Sequence, residues 1–68
     1  MAISARNNIK GIIKEIKKGQ VMAEVTIEIA DGVTVVSAIT SDSSERLGLV
    51  VGKEVGVVIK ATSVMIDA

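Results

Sequence analysis

The sequence predicts an all-β domain: a small OB-like β-barrel of five or six strands with one short helix, built to assemble as an oligomer. Three observations predict it. Val and Ile supply most of the aliphatic side chains while Leu stands only at 47 and 49, and β-branched residues favour a pleated, half-buried surface. In VMAEVTIEIA (21–30), Val21, Ala23, Val25, Ile27 and Ile29 alternate with Met22, Glu24, Thr26 and Glu28, the period of two expected of a strand with one buried face. The chain has 68 residues, nearly half of them hydrophobic, with a mean hydropathy of +0.53. So short a chain buries a modest share of its surface alone, which assigns part of that apolar surface to subunit contacts.

The elements follow in order. NNIKGIIKEIKK (7–18) reads as a less regular strand, with Gly11 marking a bulge or bend. The KKGQ turn (17–20) joins it to the alternating strand, and ADGV (30–33) is a second hairpin signal leading into VTVVSAIT (33–40). From 41 to 49 the pattern changes to SDSSERLGL, where Asp42 and Glu45 have the spacing of a capping box, so one short helix is expected. Gly48 and Gly52 close it ahead of a strand over about 54–60 and a last short strand near 64–67. With no repeat, linker or low-complexity segment, residues 1–68 form a single domain.

Composition removes most chemistry. The chain has no Cys, His or aromatic residue, so thiol chemistry, neutral-pH imidazole catalysis and base-stacking platforms are excluded. Eight acidic and eight basic residues balance, leaving no overall field to attract nucleic acid or a membrane surface. No apolar stretch approaches the ~20 residues that span a bilayer, and the N-terminus lacks a signal-peptide pattern. The expected location is therefore the cytoplasm. Glu24, Glu28, Asp31, Asp42 and Glu45 fall where solvent is expected and form no acid/base pair or metal cage. No P-loop, dinucleotide fingerprint or nucleophile elbow is present, so neither an enzyme nor an organic cofactor is expected.

What remains is a set of donors. Hydroxyls at Ser4, Thr40 and Ser43, cations at Arg6 and Lys60, and the N–H groups of a helix starting near Ser41 would match an anion with several acceptor oxygens and no proton of its own. Each also has a plainer role. A lone Lys at a strand end snorkels to water, an Arg near a terminus is solvated, and TSDSS (40–44) caps a helix.

Taken together, SARN (4–7), GIIKEIKKGQVMAEVTIEI (11–29), SAITSDSSERLGL (37–49) and VGKEVGVVIKATSVMI (51–66) resemble the molybdate-binding Mop family, the molbindins, within the TOBE group of OB-like domains. The resemblance covers essentially the whole chain. It implies a cytoplasmic homo-oligomer, typically a hexamer built as a trimer of dimers, that holds molybdate or tungstate at subunit interfaces. Carried over residue by residue, Ser4, Ala5 (through its backbone) and Arg6 come from SARN, and Lys60 with the backbone of Ala61 from IKAT. Thr40 and Ser43 are expected from a neighbouring subunit. A second class of site near the threefold axis is assigned to Lys18, Gly19 and Gln20 of the KKGQ turn. In this family the domain also occurs fused to a DNA-binding helix-turn-helix or a transporter ATPase subunit; with neither here, the resemblance implies a free-standing oxyanion store. The rival expectations are a nucleic-acid-binding OB-like module and a structural subunit whose Arg6 and Lys60 pair with carboxylates across an interface.

Overall fold

The structure is a computed structural model and describes residues 6–68. Four antiparallel strands, β1 (Asn7–Lys18), β2 (Met22–Ala30), β3 (Val33–Thr40) and β4 (Glu54–Ile59), form one sheet in the order β3-β2-β1-β4, with a single α-helix, α1 (Ser41–Arg46), between β3 and β4. The all-β class with one short helix holds; β1 and β3 keep the predicted bounds, and β2 begins at Met22 rather than Val21.

Strand β1 serves two partners. Its first half pairs with β4, from Asn7↔Ile59 to Ile12↔Glu54, and its second half with β2, from Ile12↔Glu28 to Lys18↔Ala23. Two further bonds carry the β4 side past the ladder, Ile13 N–H to the Lys53 carbonyl (3.0 Å) and Gly52 N–H to the Ile13 carbonyl (2.8 Å). The sequence reading places a bulge or bend at Gly11. The register instead shifts between Ile13 and Glu15, so Lys14 is the extra residue and β1 turns Gly11 and Ile13, then Ile16, inward. That step of three explains the irregular alternation of 7–18. Gly11 serves a close approach instead, because a Cβ there would lie 2.5 Å from Ile27 Cγ2 and 2.8 Å from the Glu28 carbonyl oxygen. Only hydrogen fits.

The core is small and aliphatic. Ile13 and Val25 are the largest fully buried side chains, joined by Ile27 and Val57 and flanked by half-buried Ile16, Ile29, Val35, Ile39, Leu49, Val55 and Ile59. Apart from Leu49, which lies between α1 and β4, these are inward positions of the four strands. The Asp31-Gly32 turn closes the second hairpin with Gly32 at φ +74°, which a residue bearing Cβ rarely adopts.

Helix α1 starts one residue before the predicted capping box. Its N-cap is Thr40, whose Oγ1 accepts from Ser43 N–H at 3.0 Å. Asp42 and Glu45 have the spacing of a box, but with Thr40 as the N-cap Asp42 falls in the first turn, so both lie within the helix. The helix ends at Arg46 rather than near 49, because Gly48 takes φ +63° and its N–H returns to the Glu45 carbonyl at 3.0 Å. Lys53 Nζ then donates to the Leu47 and Gly48 carbonyls at 3.0 and 3.3 Å, placing a cation on the exposed carbonyl end.

The last predicted strand, 64–67, is not formed. After β4 a single 3-10 turn spans Ala61–Ser63 and the remaining residues have no regular structure. A strand needs an edge to bond to, and this segment follows neither free edge of its own sheet; Met65 and Ile66 are 92% and 86% exposed. Among the described residues, four strands therefore stand where five or six were expected. Between β3 and β4 an apolar trough of about 390 Å³ remains, lined by Val25, Ile27, Ile39, Leu47, Leu49 and Val55 among others.

The close approach at Gly11 gives the first prediction. Gly11→Ala must push β2 away from β1, and overpacking of this kind costs about 1–3 kcal/mol. Chemical denaturation should show a lowered midpoint with an unchanged slope.

Candidate oxyanion site

The candidate donors fall into two groups at opposite ends of β1. Asn7 pairs with Ile59, and the Asn7 Nδ2 amide donates to the Ile59 carbonyl at 3.2 Å. The next residues outward, Arg6 and Lys60, are thereby placed side by side, and both are exposed. Lys60 is extended at φ −65° and ψ 137°, precedes the 3-10 turn, and gives its carbonyl to Ser63 N–H at 2.9 Å. Ala61 opens that turn, where a first N–H has no partner inside the turn itself. Among the described residues, neither Arg6 nor Lys60 enters a salt bridge. Ser4 and Ala5 lie outside the described residues.

At the far end of β1, the KKGQ turn and the start of α1 form one hydrogen-bonded unit. Buried Ser41 donates through Oγ to the Gly19 carbonyl at 2.7 Å and through its N–H to the Val21 carbonyl at 2.8 Å. Gly19 N–H reaches the Met22 carbonyl at 2.8 Å. Lys18 Nζ sits 2.7 Å from Glu45 Oε1; that hydrogen bond, and then the Lys18 charge, hold the Glu45 carboxyl below its ordinary range. The contribution of this pair is therefore present above the usual carboxylate range and is lost as pH falls through the lowered value. Lys18 and Gly19 are thus already engaged, while Gln20 stays exposed.

Thr40 and Ser43 make a separate arrangement on this end. The Thr40 Oγ1 hydroxyl donates to Ser43 Oγ at 2.7 Å, and Arg46 Nη2 donates to the same oxygen at 3.2 Å. The sequence reading expected the amides of the helix start to serve an anion. Ser41 and Ser43 N–H are instead consumed within the fold, so this end offers hydroxyls in place of those amides. Sequence reasoning missed Arg46, although its position three residues after Ser43 and four after Asp42 is the helical spacing for side-chain contact.

The two ends are far apart. A strand of 12 residues rising about 3.3 Å per residue reaches up to about 36 Å when straight, comparable with the 35 Å long dimension of the molecule. Arg6 and Lys60 do not meet Thr40 and Ser43 within one chain. The apolar trough between β3 and β4 lacks the charge to hold an anion, its one cationic side chain, Lys53, being turned to backbone carbonyls.

Comparison with known proteins agrees with this architecture. A model of the TOBE domain matches residues 3–66. Molybdenum-pterin-binding protein 3 of Clostridium pasteurianum is 54% identical over 68 residues, covering 100% of both chains. The structure of a molybdate binding protein from Sporomusa ovata superposes with a TM-score of 0.93 at 41% identity, covering 100% of each chain. MopII from Clostridium pasteurianum gives 0.91 at 51% identity, over 98% of this chain and 100% of that one. A domain match over nearly the whole length and full-length relatives above half identical leave one conclusion: the chain belongs to the TOBE domain family, within its Mop group of molybdenum-pterin-binding proteins.

Proposed function

We propose that this protein binds molybdate or tungstate reversibly, without catalysis, at sites completed by more than one copy of the chain, and so stores the oxyanion in the cytoplasm. The observation that carries the ligand is the full-length likeness, at a TM-score of 0.93, to a molybdate binding protein. The separation of the donors supports the shared site: Arg6, Lys60 and the Ala61 backbone of one copy, with Ser4 and Ala5, face Thr40 and Ser43 of another. The hydroxyls and amides hold oxygens and the cations balance charge. Lys18, Gly19 and Gln20 remain the assignment for a second class of site, in which exposed Gln20 is the uncommitted member.

Several relatives are named for molybdenum-pterin, yet the donors favour the inorganic anion. A pterin presents a flat ring that proteins commonly grip by stacking, and this chain has no aromatic residue. A site of donors also disfavours phosphate, which at neutral pH keeps a proton that needs an acceptor. The unpaired apolar tail, with Met65 and Ile66 exposed, and the open trough supply surface for assembly, consistent with a hexamer arranged as a trimer of dimers.

Calorimetric titration with molybdate, repeated in excess sulfate and run beside native mass spectrometry, tests the reading. The expected result is tight binding that survives sulfate, with several anions per oligomer. Molybdate at a hundredfold excess over Kd should also stabilise the assembly by about 2.7 kcal/mol; no heat and no mass shift would leave Arg6 and Lys60 as interface cations of a structural subunit. Lys60→Ala should weaken binding about tenfold or more while thermal unfolding of the free protein is unchanged, since a hydrogen bond to a charged group contributes about 1.5–3 kcal/mol. Thr40 and Ser43 should separate. Ser43→Ala keeps the cap bond to Thr40 Oγ1 and should weaken binding without lowering stability, whereas Thr40→Ala should also remove about 1 kcal/mol of stability.

A further inference from the structure

We propose that Arg46 is a positioning residue for this site, filling an acceptor position on Ser43 so that Ser43 meets the anion as a proton donor and protonated anions are rejected. The inference rests on the oxyanion reading above and adds a residue to it. A hydroxyl has one proton and two lone pairs. Ser43 Oγ receives the Thr40 hydroxyl at 2.7 Å and Arg46 Nη2 at 3.2 Å, so both lone pairs are occupied and its own proton is unspent. Reversing the hydroxyl pair leaves the free proton on Thr40 instead; either way the pair has one O–H to give. The guanidinium is donor-only, so its bond to Ser43 runs in one direction whatever the hydroxyls do.

Arg46 is held on its other side as well. Nε donates to Asp42 Oδ2 at 3.3 Å, one helical turn back, which aims the planar fork along the helix toward Ser43. The side chain is 69% exposed, so its effect on a bound ion is modest and works through Ser43. Without Arg46 a lone pair on Ser43 reopens. Hydrogen phosphate, which must donate its remaining proton, gains a partner there, while molybdate and sulfate, with no proton at neutral pH, gain nothing.

The test is a set of titrations on the full-length oligomer with molybdate, and with sulfate and phosphate as competitors, for wild type, Arg46→Met, Arg46→Lys, Ser43→Ala and the Ser43→Ala/Arg46→Met double variant. Arg46→Met should weaken molybdate about threefold to tenfold and narrow the preference for molybdate over phosphate by more than that over sulfate. Arg46→Lys should restore part of the preference, and in the Ser43→Ala background the Arg46→Met change should have little effect. Unfolding of the ligand-free proteins should coincide within the small range of an exposed ion pair. Equal losses against phosphate and sulfate, or a loss that persists without the Ser43 hydroxyl, would reduce Arg46 to a distant charge and overturn the inference. Unchanged Arg46→Met with normal wild-type binding overturns this inference alone; absent wild-type binding overturns the oxyanion reading with it.

Discussion

The sharing of β1 between two ladders is the constraint on which the rest of the structure depends. A strand that pairs with β4 over its first half and β2 over its second passes from one ladder to the other where the two overlap, at Ile12. Two adjacent features make this possible: Gly11 removes the atom that would collide with Ile27 and Glu28, and the extra residue Lys14 shifts the pleat so that Ile16 still faces inward. Hydrophobic burial then locks the arrangement, because Ile13, Val25, Ile27 and Val57 meet only if both ladders wrap the same side. The core has little else.

The same strand decides where the donors go. Its start places Arg6 beside Lys60, and its end leads through the KKGQ turn to the base of α1. The Ser41 hydroxyl, buried and bonded to Gly19, ties helix to turn, so Thr40 and Ser43 stand on a supported platform. An exposed pair such as Lys18–Glu45 adds little stability by itself. Here it adds a side-chain contact to a junction already made by two hydrogen bonds, from Ser41 Oγ and Ser41 N–H, beside a turn closed by Gly19 N–H.

Much of this was legible in the sequence, and the exceptions have physical reasons. The alternation of Ala23, Val25 and Ile27 announced β2, because burial on one face has a period that any pairing must respect. Lys14 carried no such signal, since a bulge residue that points to solvent has the same chemistry as any polar strand residue. Asp42 and Glu45 imitate a capping box because spacing alone does not say which residue is the N-cap; it is Thr40, whose oxygen takes the Ser43 amide and leaves Asp42 inside the first turn. The tail at 64–67 has the composition of a strand, but strand formation is a property of two segments, and one chain supplies one of them. Arg46 was overlooked for a related reason. Its contact with Ser43 depends on where the helix begins.

The placement of unlike donors at the two ends of one strand gives the subunit a direction, and direction constrains symmetry. If the Lys60 end of one copy must meet the Ser43 end of another, two copies related by a twofold axis satisfy both requirements at once, each supplying what the other lacks. Copies stacked end to end satisfy them one at a time and must close into a ring or else grow into a filament. In every closed arrangement the number of these junctions equals the number of chains. On that arrangement capacity scales with assembly, and a solitary chain carries both halves of a site with neither one completed.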